Sequence, residues 1–225
     1  MNIFNIALVT RAFLFFAYPS KMSGDNVFVR TDDTFGIGAG TVVDGFSGAT
    51  PLGQVATNVG DELVLRNIVG EPLTTLDYFI GLIPGSIGET SVIAIALGAI
   101  LLLWTGVASW KIMLSVFVGG ALTGYLFESL EMTTLTWADQ LVMGGFCFGA
   151  VFMATDPVTS ARTEGGKYIY GFLIGVVAVM VRVLNPGYPE GMMLAILLMN
   201  MFAPTIDYCF VQSNINKRAK RALNK

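Results

Sequence analysis

Five long apolar stretches, about Ser91–Ala108, Ile112–Phe127, Leu141–Ala154, Tyr168–Leu184 and Met192–Val211, leave this chain few folds to choose from. Each approaches the roughly 20 residues that an α-helix needs to cross a hydrocarbon core. Backbone N–H and C=O groups find no water there and must pair within the segment, so helices are the default. The third stretch is short, and Gln140 or Thr155 has to join it to complete a crossing. A sixth stretch, Ile3–Tyr18, is interrupted by Arg11 and closed by Pro19, and reads as the last part of a preceding transmembrane helix. A signal peptide would carry its basic residue before the apolar run rather than inside it. Only 13% of the residues are charged, about half the share in a soluble domain. The expected fold is an all-α integral membrane protein of about five transmembrane helices plus a partial N-terminal one.

Basic residues set the orientation. The tail after the last stretch carries Lys217, Arg218, Lys220, Arg221 and Lys225, which assigns the C-terminus to the cytoplasm. Counting back, the loops near Lys111 and near Arg162 and Lys167 are cytoplasmic, and the loop with Glu128, Glu131 and Asp139 is outside. The long segment 20–88 falls outside too: Asp25, Asp32, Asp33, Asp44, Asp61, Glu62, Glu71 and Asp77 outnumber Lys21, Arg30 and Arg66. The chain thus divides into a helix end (1–19), a periplasmic segment (20–89), a five-helix membrane bundle (90–212) and a cytoplasmic basic tail (213–225). A net charge of −3 offers no footprint for nucleic acid. The absence of histidine excludes histidine-dependent catalysis, and Cys147 and Cys209 lack the spacing of a metal-ligand pair.

Within the apolar stretches, glycines recur four residues apart: Gly120 with Gly124, Gly145 with Gly149, and Gly171 with Gly175. Such pairs let helix backbones approach closely; a bound ring system lying against bare backbone is the alternative use. Polar residues at the ends of the stretches are the candidates for chemistry. Glu89-Thr90-Ser91 puts a carboxylate and hydroxyls in the first turn of a helix, as a cap or as an ion ligand. Asp156 and Glu190 sit among prolines and glycines that imply tight turns or broken helices, which survive at membrane depth only where protein or a cavity buries them. Asp207 lies inside the last stretch, where a carboxylate at a helix centre costs about 2.5–3.5 kcal/mol on insertion scales and is usually paired or functional. Arg182 raises the same question with opposite sign: it can snorkel, pair with an acid, or attract a flavin phosphate or electron-rich ring.

One polar tetrapeptide on the outer segment, Ser47-Gly48-Ala49-Thr50, presents a threonine hydroxyl on a loop. Together with Gly85-Ser86-Ile87-Gly88-Glu89-Thr90-Ser91, with 108–115, with Phe152–Ser160 and with the run from Arg182 through Leu198, it resembles the B subunit of the sodium-translocating NADH:quinone oxidoreductases over almost the whole chain. In that family, and in the related D subunit of the Rnf electron-transport complex, the threonine of Asp-x-x-Ser-Gly-Ala-Thr is esterified to the phosphate of FMN by a flavin transferase outside the cytoplasmic membrane. The resemblance implies that Thr50 is the attachment residue, with Asp44, Ser47, Gly48 and Ala49 completing the motif, on the side to which the charge count assigns this loop. It also implies a multi-pass subunit of a bacterial inner-membrane complex, lying in lipid beside other subunits. Electrons pass there from FMN through a riboflavin to quinone, coupled to sodium export. Sodium is a hard cation that takes oxygen ligands, and the matching acids are Asp207 and Asp156, then Glu89.

The family's B subunit is about twice as long, with a preceding half of membrane helices. The chain is therefore expected to be a split or truncated form, or a fragment that begins inside the last helix of that first half. The glycine-rich stretch 30–41 reads as an inserted flexible loop. Two other functions compete. The Rnf D subunit shares the flavin motif, but Ala108-Ser109-Trp110-Lys111 and Asn214-Ile215-Asn216-Lys217-Arg218 favour the quinone-linked complex. A secondary transporter would use the broken helices and acids without a redox cofactor, and a purely structural half would only pack against its partner.

Overall fold

Helix is the only regular element that the apolar stretches permit, and helices are what forms. A computed structural model of the chain describes residues 3–22, 50–57, 65, 72–81, 83–86, 88–185, 188 and 190–223. Asp44, Ser47, Gly48 and Ala49, and the glycine-rich stretch 30–41, lie outside the described residues. In chain order the helices are α1 (Ile6–Ala17), α2 (Pro19–Met22), α3 (Pro51–Thr57), α4 (Thr75–Ile80), α5 (Val92–Trp104), α6 (Trp110–Ser129), α7 (Trp137–Val142), α8 (Phe146–Phe148), α9 (Glu164–Leu184) and α10 (Met192–Leu223). Among the described residues no β-strand forms. Three helices, α6, α9 and α10, are long and apolar enough to cross a membrane, and α1 and α5 are shorter apolar helices.

The expectation of five spans is therefore met by three full-length helices, and local chemistry explains the difference. α5 begins at Ser91, whose hydroxyl accepts from the Ala94 N–H, and ends where Gly106 turns left-handed at φ 71°. The third apolar stretch is not one helix. α7 stops at Met143, which is extended, and Gly144 follows at φ 65°, a conformation that suits a residue without Cβ. The chain restarts as α8 and widens at once into a π-turn over Gly149–Met153, with the Ala154 N–H bonded to the Gly149 carbonyl at 2.8 Å. Such turns hold one residue more than an α-helix and are frequent at functional sites.

Glycine explains the main helix pair. α6 and α9 run parallel, and a Cβ on Gly175 would lie 2.2 Å from the Val116 carbonyl oxygen and 2.6 Å from the Gly120 nitrogen. Gly171 faces Ser115 and the Ile112 carbonyl, and Gly119 faces the Phe172 carbonyl, just as tightly. Gly171 and Gly175 are packing devices here, because backbone meets backbone with no room for a ring between; Gly120 and Gly149 instead receive the Phe146 and Met192 side chains, and Gly145 faces the Glu89 and Glu190 carboxylates. α10 packs its first half on α9, where the buried Tyr170 hydroxyl donates to Asn200 Oδ1 at 2.7 Å. Past Val211 the helix runs on to Leu223 with its lysines and arginines exposed, so the described part of the basic tail continues α10.

The start of α10 is set low. Gly191, at φ 66°, presses on α9 at Ala178, where a Cβ would meet the carbonyl oxygen at 2.4 Å. Ala178 is six residues before the end of α9, roughly 9 Å by helical rise. The start of α10 therefore lies back within the bundle, beside the middle of α9. Around it, Leu52 of α3, Tyr78 of α4, Leu135 and Met143 form a second small core that seats α3 on the break after α7.

Gly175→Ala places a methyl group against backbone that cannot move aside, an overpacking worth about 1–3 kcal/mol. We expect a clear drop in the thermal midpoint of the detergent-solubilised chain. Gly98→Ala meets only the tip of the Phe152 ring, which can rotate, and should leave the midpoint nearly unchanged.

Candidate functional site

Thr50 caps α3. Its Oγ1 accepts from the Gly53 N–H at 3.1 Å and its carbonyl accepts from the Gln54 N–H at 2.9 Å. Pro51 follows at the first helical position, where its missing N–H is not needed. The cap uses the threonine oxygen as an acceptor, so replacing the hydroxyl proton by another substituent leaves that role in place. Leu52 anchors the turn: it is 3% exposed, and a Cβ on Gly144 would come within 2.4 Å of its Cδ1. The left-handed break after α7 is thus the surface on which the threonine-bearing helix is held.

Beneath Thr50 a narrow cleft is lined by Pro84, Gly85, Thr90 and Gly144 and contains two carboxylates, Glu89 and Glu190. The two are brought together across Gly145, where a Cβ would lie 3.0 Å from Glu89 Oε2 and 3.6 Å from Glu190 Oε2. Glu89 is not in the first turn of α5, as its spacing suggested. Ser91 is the cap, and Glu89 turns back so that Oε1 accepts from the Ser86 N–H at 3.0 Å. Arg11, the charge inside the first apolar stretch, reaches Glu190 Oε2 at 3.3 Å. Burial, then repulsion from Glu190, pushes the Glu89 carboxyl above its ordinary value of 4.5, against the opposing pull of the Ser86 N–H and Arg11. α5 and α10 both begin beside this pair, and the positive ends of their dipoles favour negative charge there.

Arg182 occupies the other side of the same break. It is buried, and its guanidinium donates to the carbonyls of Gln140 and, at 3.2 Å, Met143, which are the last carbonyls of α7. These bonds go to backbone oxygens at a helix C-terminus, a setting that its place in an apolar stretch did not suggest. It also lines a cavity of about 260 Å³ together with Leu52, Val55, Thr133, Leu135 and Gln140.

The remaining acids lie toward the opposite end of the bundle, near the start of α9. Asp207 accepts from the N–H groups of Arg162 and Thr163, at 2.8 and 2.9 Å, and from the Thr163 hydroxyl. Asp156 accepts from the Val158 N–H, the Thr159 hydroxyl and Asn5 Nδ2. Both carboxylates therefore tie turns to helices. Among the described residues no three or more of the His, Cys, Asp and Glu side chains group closely enough to hold a metal ion. The meeting of Arg11 with Glu190 and of Glu89 with Glu190 has one trace in the sequence, an arginine stranded in an apolar run.

Comparison with known proteins adds a family. A family model described as "NQR2, RnfD, RnfE family" matches residues 1–216. The chain is 51% identical to the B subunit of the Na(+)-translocating NADH-quinone reductase of Chromohalobacter salexigens, over 98% of this chain and 50% of that protein. It is 48% identical to the protein of the same description in Yersinia pestis and 49% to that in Klebsiella pneumoniae, again over 98% of this chain and about half of each relative. The chain thus spans about half the length of the curated relatives it matches.

The raised Glu89 pKa makes stability depend on pH. The unfolded chain releases this proton near pH 4.5 while the folded one holds it longer, so stability falls as pH rises from about 4.5 through the folded value. Glu89→Gln keeps the Ser86 bond and cannot ionise. Its thermal midpoint should match the parent chain at low pH and exceed it increasingly above pH 4.5; an equal difference at every pH would refute the burial effect.

Proposed function

This chain belongs to the NQR2, RnfD, RnfE family, and on that premise we propose that it is a membrane flavoprotein subunit of a redox-driven sodium pump in the bacterial inner membrane. It carries FMN esterified to Thr50 on the outer side and passes electrons through a riboflavin toward quinone. The observation that carries this reading is the setting of Thr50 itself. The hydroxyl stands at the head of a helix, held in place by Leu52, and its oxygen serves the cap without needing its proton. Esterification replaces that proton by the phosphorus of FMN and releases one water, and the N–H of Gly53 can still donate to the ester oxygen. FMN bound there supplies the electron exchange that side chains do not, and a covalent link keeps it from being lost as its affinity changes with redox state. The outward orientation of Thr50 and the cytoplasmic C-terminus follow the basic residues of Lys111, Lys167 and the α10 tail.

The other parts of the reading rest on the chemistry of sodium. Asp207, Asp156 and Glu89 are its oxygen ligands along the path. Glu89 is favoured by its surroundings, because it is buried beside a second carboxylate whereas Asp156 and Asp207 already accept from several donors. The partners are a flavin transferase, the other subunits of the complex, quinone and membrane lipid.

The test is an intact-mass spectrum of the full chain made with and without a flavin transferase in the same cells. The expected result is a gain of one FMN less one water with the transferase, absent without it and absent in Thr50→Ala. An inserted chain that gains nothing would remove the flavoprotein reading and leave the secondary transporter ahead.

A further inference from the structure

We propose that the cavity of about 260 Å³ between α3, the 131–135 loop and α9 receives the flavin ring of the group attached at Thr50, with Arg182 as the residue that sets its reduction potential. The inference rests on the flavoprotein reading and goes beyond it by naming the ring site.

Reach is the first argument. Thr50 stands at the start of α3, and Leu52 and Val55 on the same helix line the cavity. From Thr50 to Val55 the helix rises roughly 7.5 Å, a span that a phosphate and a five-carbon ribityl chain cover. Leu52 borders both the cleft under Thr50 and the cavity, so the two spaces share a wall. The lining is the second argument. Leu52, Val55 and Leu135 offer apolar surface to a flat ring, while Thr133, Gln140 and Arg182 offer polar groups to its pyrimidine edge.

Charge is the third. Arg182 and Gln140 are both almost fully buried, so this cation acts in a region where water screens little. Two electrons and one proton leave a reduced flavin ring with a negative charge spread over its pyrimidine end. A buried guanidinium at that end favours the reduced ring over the oxidised one. The guanidinium is kept there by the α7 carbonyls of Gln140 and Met143, so it need not rearrange when the ring changes charge. Glu89 and Glu190 lie in the cleft under Thr50, within electrostatic reach of Arg182. The carboxylate that lines the cavity itself is Glu131, which is exposed, so water screens it while Arg182 stays buried.

The experiment uses the full chain, flavinylated in the membrane and checked first by intact mass. Val55→Trp fills the cavity from a helix surface and leaves Thr50 and the Arg182 bonds untouched. In the parent chain iodide should quench the flavin fluorescence poorly; in Val55→Trp it should quench several-fold better, at unchanged flavin content. Arg182→Gln should lower the equilibrium constant for two-electron reduction about tenfold, a potential shift of about −30 mV, with Arg182→Lys close to the parent. Full flavin content with unchanged quenching in Val55→Trp, and an unchanged potential in a folded Arg182→Gln, would overturn the ring site while the attachment at Thr50 stands. Absence of flavin in the parent chain would instead overturn the flavoprotein reading, and the ring site with it.

Discussion

The bond from Arg182 to the last carbonyls of α7 is the interaction on which the Thr50 end of the bundle depends. A helix that stops inside a protein leaves carbonyl oxygens without partners, and an unmet buried polar group costs about 1–3 kcal/mol. α7 stops at Met143 because Gly144 turns left-handed, and Arg182 supplies the donors that this stop requires. With the stop made good, the turn at Gly144 becomes a rigid surface, and Leu52 of α3 seats on it. The threonine, the two carboxylates and the cavity are all positioned from that surface. One cation on a long helix thus holds a broken one in the shape that a site needs.

The second constraint is the α6–α9 contact, which gives the break something stiff to lean on. Gly171 and Gly175 bring the two backbones together, and a close parallel pair fixes where Arg182 emerges at the far end of α9. The fold is thus built from a firm pair of helices and a set of interrupted segments gathered at one end. Gly88, Gly144 and Gly191, each with positive φ, mark the interruptions. The carboxylates Glu89 and Glu190 lie beside them, where helix starts and Arg11 offset their charge.

Much of this was legible in the residues, and the rest was not for definite reasons. The helical class follows from the apolar runs, and the packing use of Gly171 and Gly175 follows from their four-residue spacing. The seat of α3 was not legible, because Leu52 rests on Gly144 across 92 residues of chain. The failure of the third stretch to form a single helix was not legible, because its hydropathy does not record that Met143 is extended and Gly144 left-handed. The pairing of Arg11 with Glu190 joins residues 179 apart, and no local pattern encodes a contact of that kind. Glu89 has the spacing of a first-turn residue, yet Ser91, two residues on, takes the cap instead.

The π-turn over Gly149–Met153 has a consequence for how this gene can vary. A turn of that kind stores one surplus residue, so the segment is sensitive to length where most helices are sensitive to composition. Loss of a single codon there would let the turn relax to ordinary α-helix, and everything after it would rotate by about 100°. Asp156, three residues downstream, would swing away from Asn5 while keeping its local bond to Thr159, although both partners would still be encoded.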